Sequence, residues 1–445
     1  MSKFLDKAGL RILAAKIKEA ADSSASVGDL SSLKTDSKTD VVSAINELYN
    51  DMFDVSYVRD VATWQNSNVT IGSWYTPVEL SDGTLVASSL MHSRGIKYST
   101  DKGATWQKSN ITGGDYSAII ELSDGTLVAS SQRDYVGIKY STDKGVTWQD
   151  SNVTRYTWNT PVELSDGTLV VGSCGYVPKG IKYSTDKGVT WQDSNVTSYN
   201  WNTPVELSDG TLVASSNNGI KYSTDKGATW QDSNVTSGNW YAPIELSDGT
   251  LVVGSLGIKY STDKGATWQD SNVTSGYWNT PVELSDGTLV AGSRDNKGIK
   301  YSTDKGATWQ DSNVTSKYWT SIIELSDGTL VVSSDAGSLG IKYSTDKGAT
   351  WQKSNITGGD YSAIIELSDG TLVASSNNGN GIKYSTDKGV TWQNSNKTSG
   401  NWYAPVELSD GTLVVGSHVA SKSSDGDGIK YCASIKKVTP KWESA

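Results

Sequence analysis

The 445-residue sequence contains few of the residues on which several protein classes depend. It has two cysteines and two histidines, too few for a disulfide framework, and none of them has the spacing of a metal site. It lacks any run of about 18 apolar residues, so no membrane-spanning helix is predicted. Basic residues form no cluster, and the formal charge of −10 argues against nucleic-acid binding. The sequence therefore predicts no metal, no other cofactor and no nucleic-acid partner.

Two phrases recur along most of the chain. The phrase S-x-D-x-G-x-T-W occurs eight times, and E-L-S-D-G-T-L-V occurs nine times. Tryptophans at equivalent positions, from Trp64 to Trp392, follow one another at intervals of 38 to 43 residues. A fixed period of about 40 residues indicates a repeat architecture. The aspartates of the first phrase are Asp101, Asp143, Asp186, Asp225, Asp263, Asp304, Asp346 and Asp387.

Each repeat predicts four short strands joined by tight turns. In the first full repeat, Ser81-Asp82-Gly83 separates two β-prone runs, and Asp-Gly between alternating apolar residues is a strong hairpin signal. Asp101-Lys102-Gly103 separates a second pair, in which the glycine can adopt positive φ. We name the strands A (PVEL), B (TLVAS), C (GIKYST) and D (TWQDSN).

The S-x-D-x-G-x-T-W phrase resembles the Asp-box, or bacterial neuraminidase repeat, of the sialidase superfamily and related β-propellers. The resemblance covers roughly residues 61–435 and implies a four-stranded blade with the phrase on the hairpin between its third and fourth strands. It implies a structural role for the eight aspartates. It indicates a fold far more specifically than any activity.

The repeats begin and end out of phase. The chain starts its repeats with a lone strand D at Thr63–Asn68, and the last repeat has strands A, B and C but no D. The two fragments add up to one blade, so we predict a closed ring in which the N-terminal strand completes the last blade. The fold class is therefore all-β, a nine-bladed β-propeller spanning residues 61–435, with a C-terminal tail at 436–445.

Residues 1–60 have a different pattern. Leu10, Leu13 and Ile17 follow helical spacing, as do Val41, Ile45 and Leu48, with a Ser- and Asp-rich linker between them. The stretch GDLSSLKTDSKTDVVSAINELYND resembles segments near the N-termini of tail proteins of bacteriophages and prophages. We predict a helical attachment segment that drives homo-oligomerisation or virion docking through residues 1–55. A plain helical linker is the alternative. The charged N-terminus lacks the apolar region of a secretory signal.

The predicted strand order places B–C loops and D-to-A connections on one face, which we call the variable face. Every D-to-A connection carries an aromatic residue. These rings either cap the core between blades or stack on sugars while neighbouring polar side chains bind hydroxyls. The sequence leaves both interpretations open. The predicted ligand-binding residues are Trp74, Tyr75, Arg94, Tyr116, Arg133, Arg155, Trp158, Trp201, Trp240, Tyr241, Trp278, Trp319, Tyr361, Trp402 and Tyr403.

Catalysis is not favoured by the sequence. The resemblance to sialidases implies an arginine two residues before the proline of the first strand, but Trp74-Tyr75-Thr76-Pro77 has Tyr75 there. Arg94, Arg133 and Arg155 could recognise an anionic group, yet they lie outside the positions that the family motif occupies. No Ser-His-Asp set and no phosphate-binding loop is apparent.

The sequence thus favours a non-catalytic binding module. We expect a tail-associated protein of a phage or prophage that recognises cell-surface carbohydrate, on the virion tail or an extracellular surface. A cytoplasmic location is the alternative to that placement. A sialidase-like glycan-cleaving enzyme and a purely structural repeat scaffold are the alternative functions.

Overall fold

The computed structural model describes residues 53–90, 94–132, 136–334, 339–418 and 427–440. Every regular element in these ranges is a β-strand, and the strands form nine four-stranded antiparallel blades. The all-β, nine-bladed propeller expected from the repeats is therefore confirmed. The chain divides into two compact units, one of residues 60–433 and one of residues 1–59 with 434–445.

Most strands are short because the turns between them come at close intervals. In chain order they are β1 (Phe53–Arg59), β2 (Gln65–Asn66), β3 (Val78–Glu79), β4 (Leu85–Ser88), β5 (Ile96–Ser99), β6 (Gln107–Lys108), β7 (Ala118–Glu121), β8 (Leu127–Ser130), β9 (Ile138–Ser141), β10 (Gln149–Asp150), β11 (Thr157–Trp158), β12 (Val162–Glu163), β13 (Leu169–Cys174), β14 (Ile181–Ser184), β15 (Gln192–Asp193), β16 (Val205–Glu206), β17 (Leu212–Ser216), β18 (Gly219–Ser223), β19 (Gln231–Asp232), β20 (Ile244–Glu245), β21 (Leu251–Ser255), β22 (Gly257–Ser261), β23 (Gln269–Asp270), β24 (Val282–Glu283), β25 (Leu289–Gly292), β26 (Ile299–Ser302), β27 (Gln310–Asp311), β28 (Ser321–Glu324), β29 (Leu330–Ser333), β30 (Ile341–Ser344), β31 (Gln352–Lys353), β32 (Ala363–Glu366), β33 (Leu372–Ser375), β34 (Ile382–Ser385), β35 (Gln393–Asn394), β36 (Val406–Glu407), β37 (Leu413–Gly416), β38 (Ile429–Cys432) and β39 (Ser434–Pro440).

Each blade pairs its strands A to D in sequence order. Blade 1 is β3 to β6, blade 2 is β7 to β10, and blade 3 is β12 to β15 with the extra strand β11 paired to β13. Blades 4 to 8 follow in groups of four, from β16 to β35. Blade 9 contains β36, β37 and β38, and its fourth strand is β2, with Gln65 opposite Tyr431 and Asn66 opposite Lys430. The N-terminal strand therefore completes the last blade.

A second pairing joins the segment just before the repeats to the segment just after them. Strand β1 pairs antiparallel with β39, from Phe53 opposite Pro440 to Arg59 opposite Ser434. The sequence predicted a linker and a tail for these segments, and their pairing is an addition to that prediction. The alternation of apolar and polar residues in Phe53-Asp54-Val55-Ser56-Tyr57 was the signal available for it.

The turn between strands C and D is held by its own side chains. The carboxylate of Asp101 accepts hydrogen bonds from the amide and hydroxyl of Thr105 at 2.8 and 2.6 Å, and from the hydroxyl of Ser99 at 2.8 Å. Gly103 has φ of 85°, and Lys102 before it has φ of 60°. The indole nitrogen of Trp106 donates to the carbonyl of Gly103 at 2.9 Å. The phrase thus folds the turn and fixes the tryptophan that follows it.

Two sets of hydrogen bonds join neighbouring blades around the whole ring. The amide and hydroxyl of Ser81 donate to the carboxylate of Glu121 at 2.7 and 2.8 Å. The side-chain amide of Asn68 exchanges hydrogen bonds with the backbone of Trp106. Each contact occurs at all nine interfaces, and those that close the ring are Ser409 to Glu79 and Asn396 to Trp64. The repeated glutamate and asparagine are therefore used between blades. The intervening Ser–Glu pairs are Ser123–Glu163, Ser165–Glu206, Ser208–Glu245, Ser247–Glu283, Ser285–Glu324, Ser326–Glu366 and Ser368–Glu407.

Ion pairs add a third set of contacts on the same side as the tight turns. The lysine of a C–D turn pairs with the aspartate in the A–B turn of the preceding blade, as Lys187 does with Asp124. The other pairs are Lys102–Asp410, Lys144–Asp82, Lys226–Asp166, Lys264–Asp209, Lys305–Asp248, Lys347–Asp286 and Lys388–Asp327. Blade 9 has no C–D turn, so eight interfaces carry the pair.

Candidate functional site

The nine D-to-A aromatics are buried between blades. Each residue is at most 7% exposed, and each belongs to a different core cluster. Trp158, for example, packs against Leu122 and Val128 of blade 2 and against Leu169 and Val171 of blade 3. Of the two interpretations left open by the sequence, this placement favours the one in which the rings cap the core.

The polar edge and one face of each D-to-A tryptophan are also engaged. The indole nitrogen of Trp74 donates to the carbonyl of Ile71 at 3.1 Å, and the other six tryptophans bond in the same way to the carbonyl three residues earlier. The strand C lysine lies over the ring, with Lys97 Nζ 5.8 Å from the Trp74 ring centre. A sugar therefore finds no open tryptophan face on which to stack.

Asparagine follows the buried aromatic residue in three of the nine D-to-A connections. Asn159 and Asn202 donate their side-chain amides to the carbonyls of Trp201 and Trp240 in the next blade, at 2.7 and 2.8 Å. Asn279 lies 3.5 Å from the Trp319 carbonyl. These asparagines join blades and are not directed at a ligand.

Tyrosines occupy the same position in three other blades and remain half-buried. Tyr75 donates its hydroxyl to the carboxylate of Asp115 at 3.1 Å, and its ring centre lies 5.3 Å from that of Tyr403. His418 packs edge-on against Tyr403 at 5.1 Å. The structure therefore brings Tyr75, Tyr403 and His418 together where blade 9 meets blade 1. Tyr241 stands apart in blade 5.

Three open pockets occur at equivalent places on the variable face. Each lies beside a D-to-A tryptophan and is lined by the strand C lysine, the strand D residue opposite it and threonines of the N-x-T segments. Their volumes are about 410, 460 and 340 Å³ for the pockets beside Trp74, Trp158 and Trp278. Pockets of this size accommodate a small ligand such as one or two sugar rings.

The structure distributes the predicted arginines among different places. Arg94 lines the pocket beside Trp74, whereas Arg155 lines the pocket beside Trp158. Arg133 lies outside the described residues. The described arginines therefore do not converge on one anionic group. The pockets beside Trp74 and Trp158 instead each combine one arginine with lysines.

The pockets differ in charge. In the pocket beside Trp158, Lys182 pairs with Asp193 across the strands, and in the pocket beside Trp278, Lys300 pairs with Asp311. In the pocket beside Trp74, the residue opposite Lys97 is Lys108. Burial, with the nearby charges of Lys108 and Arg94, lowers the pKa of Lys97.

Neither a metal-binding cluster nor a helix able to span a membrane occurs in the described ranges. No three His, Cys, Asp or Glu side chains come close enough to hold a metal ion there. No helix in that part of the chain is long and apolar enough to cross a bilayer.

Comparison with known proteins finds similarity only among solved structures. No protein-family model matches the chain, and no curated protein matches it in sequence. Among solved structures, similar propeller proteins include YCF48 bound to D1 peptide, a GH74 enzyme from Niastella koreensis, and virginiamycin B lyase from Staphylococcus aureus.

The similarity to these structures is distant. Each match has 16% sequence identity to this chain, and the TM-scores are 0.40, 0.38 and 0.44 in the order above. The matches cover 59%, 79% and 70% of this chain, and 87%, 66% and 99% of the other chains. Similarity at this level assigns no ligand and no activity.

Proposed function

We propose that this protein is a non-catalytic binding module whose variable face recognises cell-surface carbohydrate. The proposal includes a place on the tail of a phage or prophage particle, which would expose that face to a host surface. The recurrence of one open pocket beside Trp74, Trp158 and Trp278 carries it. A repeated pocket presents several similar sites on one face, as a multivalent receptor requires.

The composition of the pockets suits saccharides. Lysine ammonium groups and threonine hydroxyls line each one and can hydrogen-bond to sugar hydroxyls. Apolar side chains such as Ile71, which is 49% exposed, supply surface for the C–H faces of a sugar ring. The buried tryptophans shape the pocket floor and are not themselves stacking platforms.

Weak individual sites gain strength from repetition. When several sites bind one polymer at once, avidity exceeds single-site affinity by roughly 10²–10⁴-fold if geometry permits. Residues 1–52 lie outside the described structure. We propose that residues 1–55 increase the number of sites presented together, by self-association or docking. Light scattering on the full chain and on a chain without residues 1–52 tests this. A monomeric mass for both would contradict self-association.

A glycan array probed with the intact chain tests the function. We expect binding to a subset of glycans, and we expect Thr70→Val with Thr112→Val to weaken it because both hydroxyls line the pocket beside Trp74. Thr84→Val, in a turn on the opposite side of blade 1, is the control. Absence of binding to every glycan by a folded chain would reject the proposal.

A further inference from the structure

One cross-strand position breaks the symmetry of the ring. The strand C lysine faces an aspartate in five blades, in the pairs Lys139–Asp150, Lys182–Asp193, Lys221–Asp232, Lys259–Asp270 and Lys300–Asp311. In blades 8 and 9 it faces Asn394 and Asn66. In blades 1 and 7 it faces another lysine, in the pairs Lys97–Lys108 and Lys342–Lys353.

Blade 1 adds a third cation to its lysine pair. The residue before the G-I-K phrase is Arg94 in blade 1 and Leu339 in blade 7. Blades 3 and 6 have Lys179 and Lys297 at this position, but there the strand pair contains an aspartate. The sequence therefore combines three cations at this place in blade 1 alone.

The three cations of blade 1 line one pocket. Arg94, Lys97 and Lys108 surround a cavity of about 410 Å³ together with Trp74 and Ile71. The side chain of Arg94 packs directly over Gly72, since a Cβ on that glycine would lie 2.6 Å from its Cδ and Nε. Gly72 thus leaves the space in which the arginine lies across the pocket.

The Lys97–Lys108 pair is unfavourable without a counter-charge. Like charges directly opposite each other on adjacent strands destabilise a sheet. Lys97 is also half-buried and lies 5.8 Å from the Trp74 ring centre, so water shields its charge poorly. Burial first, and then the nearby charges of Lys108 and Arg94, lower the pKa of Lys97. An anion in the pocket would relieve the repulsion.

We propose that the pocket formed by Arg94, Lys97 and Lys108 binds the anionic group of an acidic saccharide. Isoleucine side chains and threonine hydroxyls beside the cations fit the sugar that carries the charge. Carboxylate and sulfate are the two sources of that charge. The inference deepens the proposed carbohydrate binding and depends on it.

The chain supplies its own matched substitution. Lys108→Asp introduces the residue found at this position in five other blades, so strand D is expected to fold normally with it. In titration calorimetry with a glucuronate-containing tetrasaccharide, we expect Lys108→Asp to weaken binding by about tenfold or more, because a charged partner is replaced by a repelling one. Lys353→Asp in blade 7 is the control and leaves the affinity unchanged.

The ligand is varied in parallel. The same tetrasaccharide with its carboxyl groups reduced to alcohols separates charge from sugar recognition, and a sulfated tetrasaccharide separates the two sources of charge. Affinity for the acidic forms should fall as salt is added. Inorganic sulfate alone should bind far more weakly than the sulfated sugar.

A gain of function tests the same point in a second pocket. Asp193→Lys places a lysine opposite Lys182, in a pocket that already contains Arg155 and Lys179. We expect this variant to bind a second equivalent of the acidic tetrasaccharide.

Equal affinity for the acidic and reduced tetrasaccharides, or unchanged affinity in Lys108→Asp, would overturn the inference. Proposed carbohydrate binding would survive either result if neutral glycans still bound on the array. A folded chain that binds no glycan would reject both. A melting temperature of Lys108→Asp equal to or above that of the parent shows that its fold is intact.

Discussion

At the scale of single residues, each D-to-A tryptophan is fixed by three kinds of contact. Trp158 is fully buried, its indole nitrogen donates to the Arg155 carbonyl at 3.1 Å, and the Lys182 ammonium lies 5.8 Å from its ring centre. A side chain held in this way contributes to stability through packing and cannot be removed without leaving a cavity. Its effect on ligand binding is then indirect.

Trp158→Ala should destabilise the protein by about 3–5 kcal/mol, because it removes a large side chain from a close-packed core. Urea denaturation measures the loss. Tyr176→Ala is the control, since Tyr176 is 97% exposed and its removal leaves no cavity. If Trp158→Ala keeps its stability but loses glycan binding, the indole ring of Trp158 acts as a binding platform after all.

A pair of glycines in blade 1 separates backbone strain from contact between blades. Gly103 and Gly83 have nearly equal φ, 85° and 83°. A Cβ on Gly103 would lie 3.3 Å from Val414 of blade 9, whereas one on Gly83 meets nothing within 4 Å. Alanine at either position costs about 1–3 kcal/mol through positive φ.

Gly103→Ala should therefore lower the unfolding free energy more than Gly83→Ala does, because it adds crowding at the interface. Denaturation of the two variants side by side measures the difference. Equal losses would mean that the interface yields without cost.

At the scale of elements, the A–B and C–D turns connect blades through charge. The ammonium of Lys187 and the amide of Thr126 lower the pKa of Asp124 to about 2, and Asp166 and Asp209 behave alike with their own lysines and threonines. The aspartates are only about one third exposed, but the lysines are well exposed, so each pair is individually weak. Their number around the ring makes the sum measurable.

This charge pattern predicts loss of stability in acid. The carboxyls titrate at about 2 when folded and near 3.8 when unfolded, so the unfolded chain takes up protons first as pH falls. The contribution is complete above about pH 4 and disappears as pH approaches 2. Urea midpoints measured from pH 5 to pH 2 should fall through this window. The triple variant Asp124→Asn, Asp166→Asn, Asp209→Asn should show a smaller fall, and an equal fall would contradict the assignment.

The sequence predicted the strands and turns well, but it did not predict the side-chain contacts between blades. The Asp-Gly turns and the lone strand at Gln65–Asn66 were enough to predict four-stranded blades and ring closure, because turn chemistry and strand alternation are local signals. The Ser81–Glu121 and Asn68–Trp106 contacts join residues 40 and 38 positions apart. Every copy of a repeat is alike, so the sequence cannot show which neighbouring copy a side chain reaches.

The candidate site shows the same limit. The sequence identified Trp74 and Arg94 as members of one face, and the structure places both around one pocket. It missed Lys97 because the G-I-K lysine recurs in every blade, and it missed Lys108 on the neighbouring strand D. The available signal was the change from aspartate to lysine at position 108.

At the scale of the whole molecule, closure of the ring depends on strand β2. Strand β2 completes blade 9, Trp64 exchanges hydrogen bonds with Asn396 of blade 8, and Glu79 accepts from Ser409. Removing the strand therefore opens the ring and exposes the edge of β38.

Deletion of residues 1–70 should lower the melting temperature of the whole ring and promote aggregation. Deletion of residues 1–52 is the matched truncation, because it leaves every described strand in place. Differential scanning calorimetry compares the two. Identical melting temperatures would show that the ring does not need its N-terminal strand.

The antiparallel register of β1 and β39 also determines how the protein bears mechanical load. Phe53 and Pro440 face each other at one end of this ladder, so tension applied to the two chain ends breaks the residue pairs one after another, as in a zipper. A force along parallel strands would instead shear all pairs at once and meet a higher barrier. Pulling with handles at the two ends should give a first yield at low force, before any blade unfolds. A first unfolding event that needs as much force as the unfolding of a blade would contradict this prediction. A chain pulled by its ends would thus lengthen at low force while the blades stay assembled.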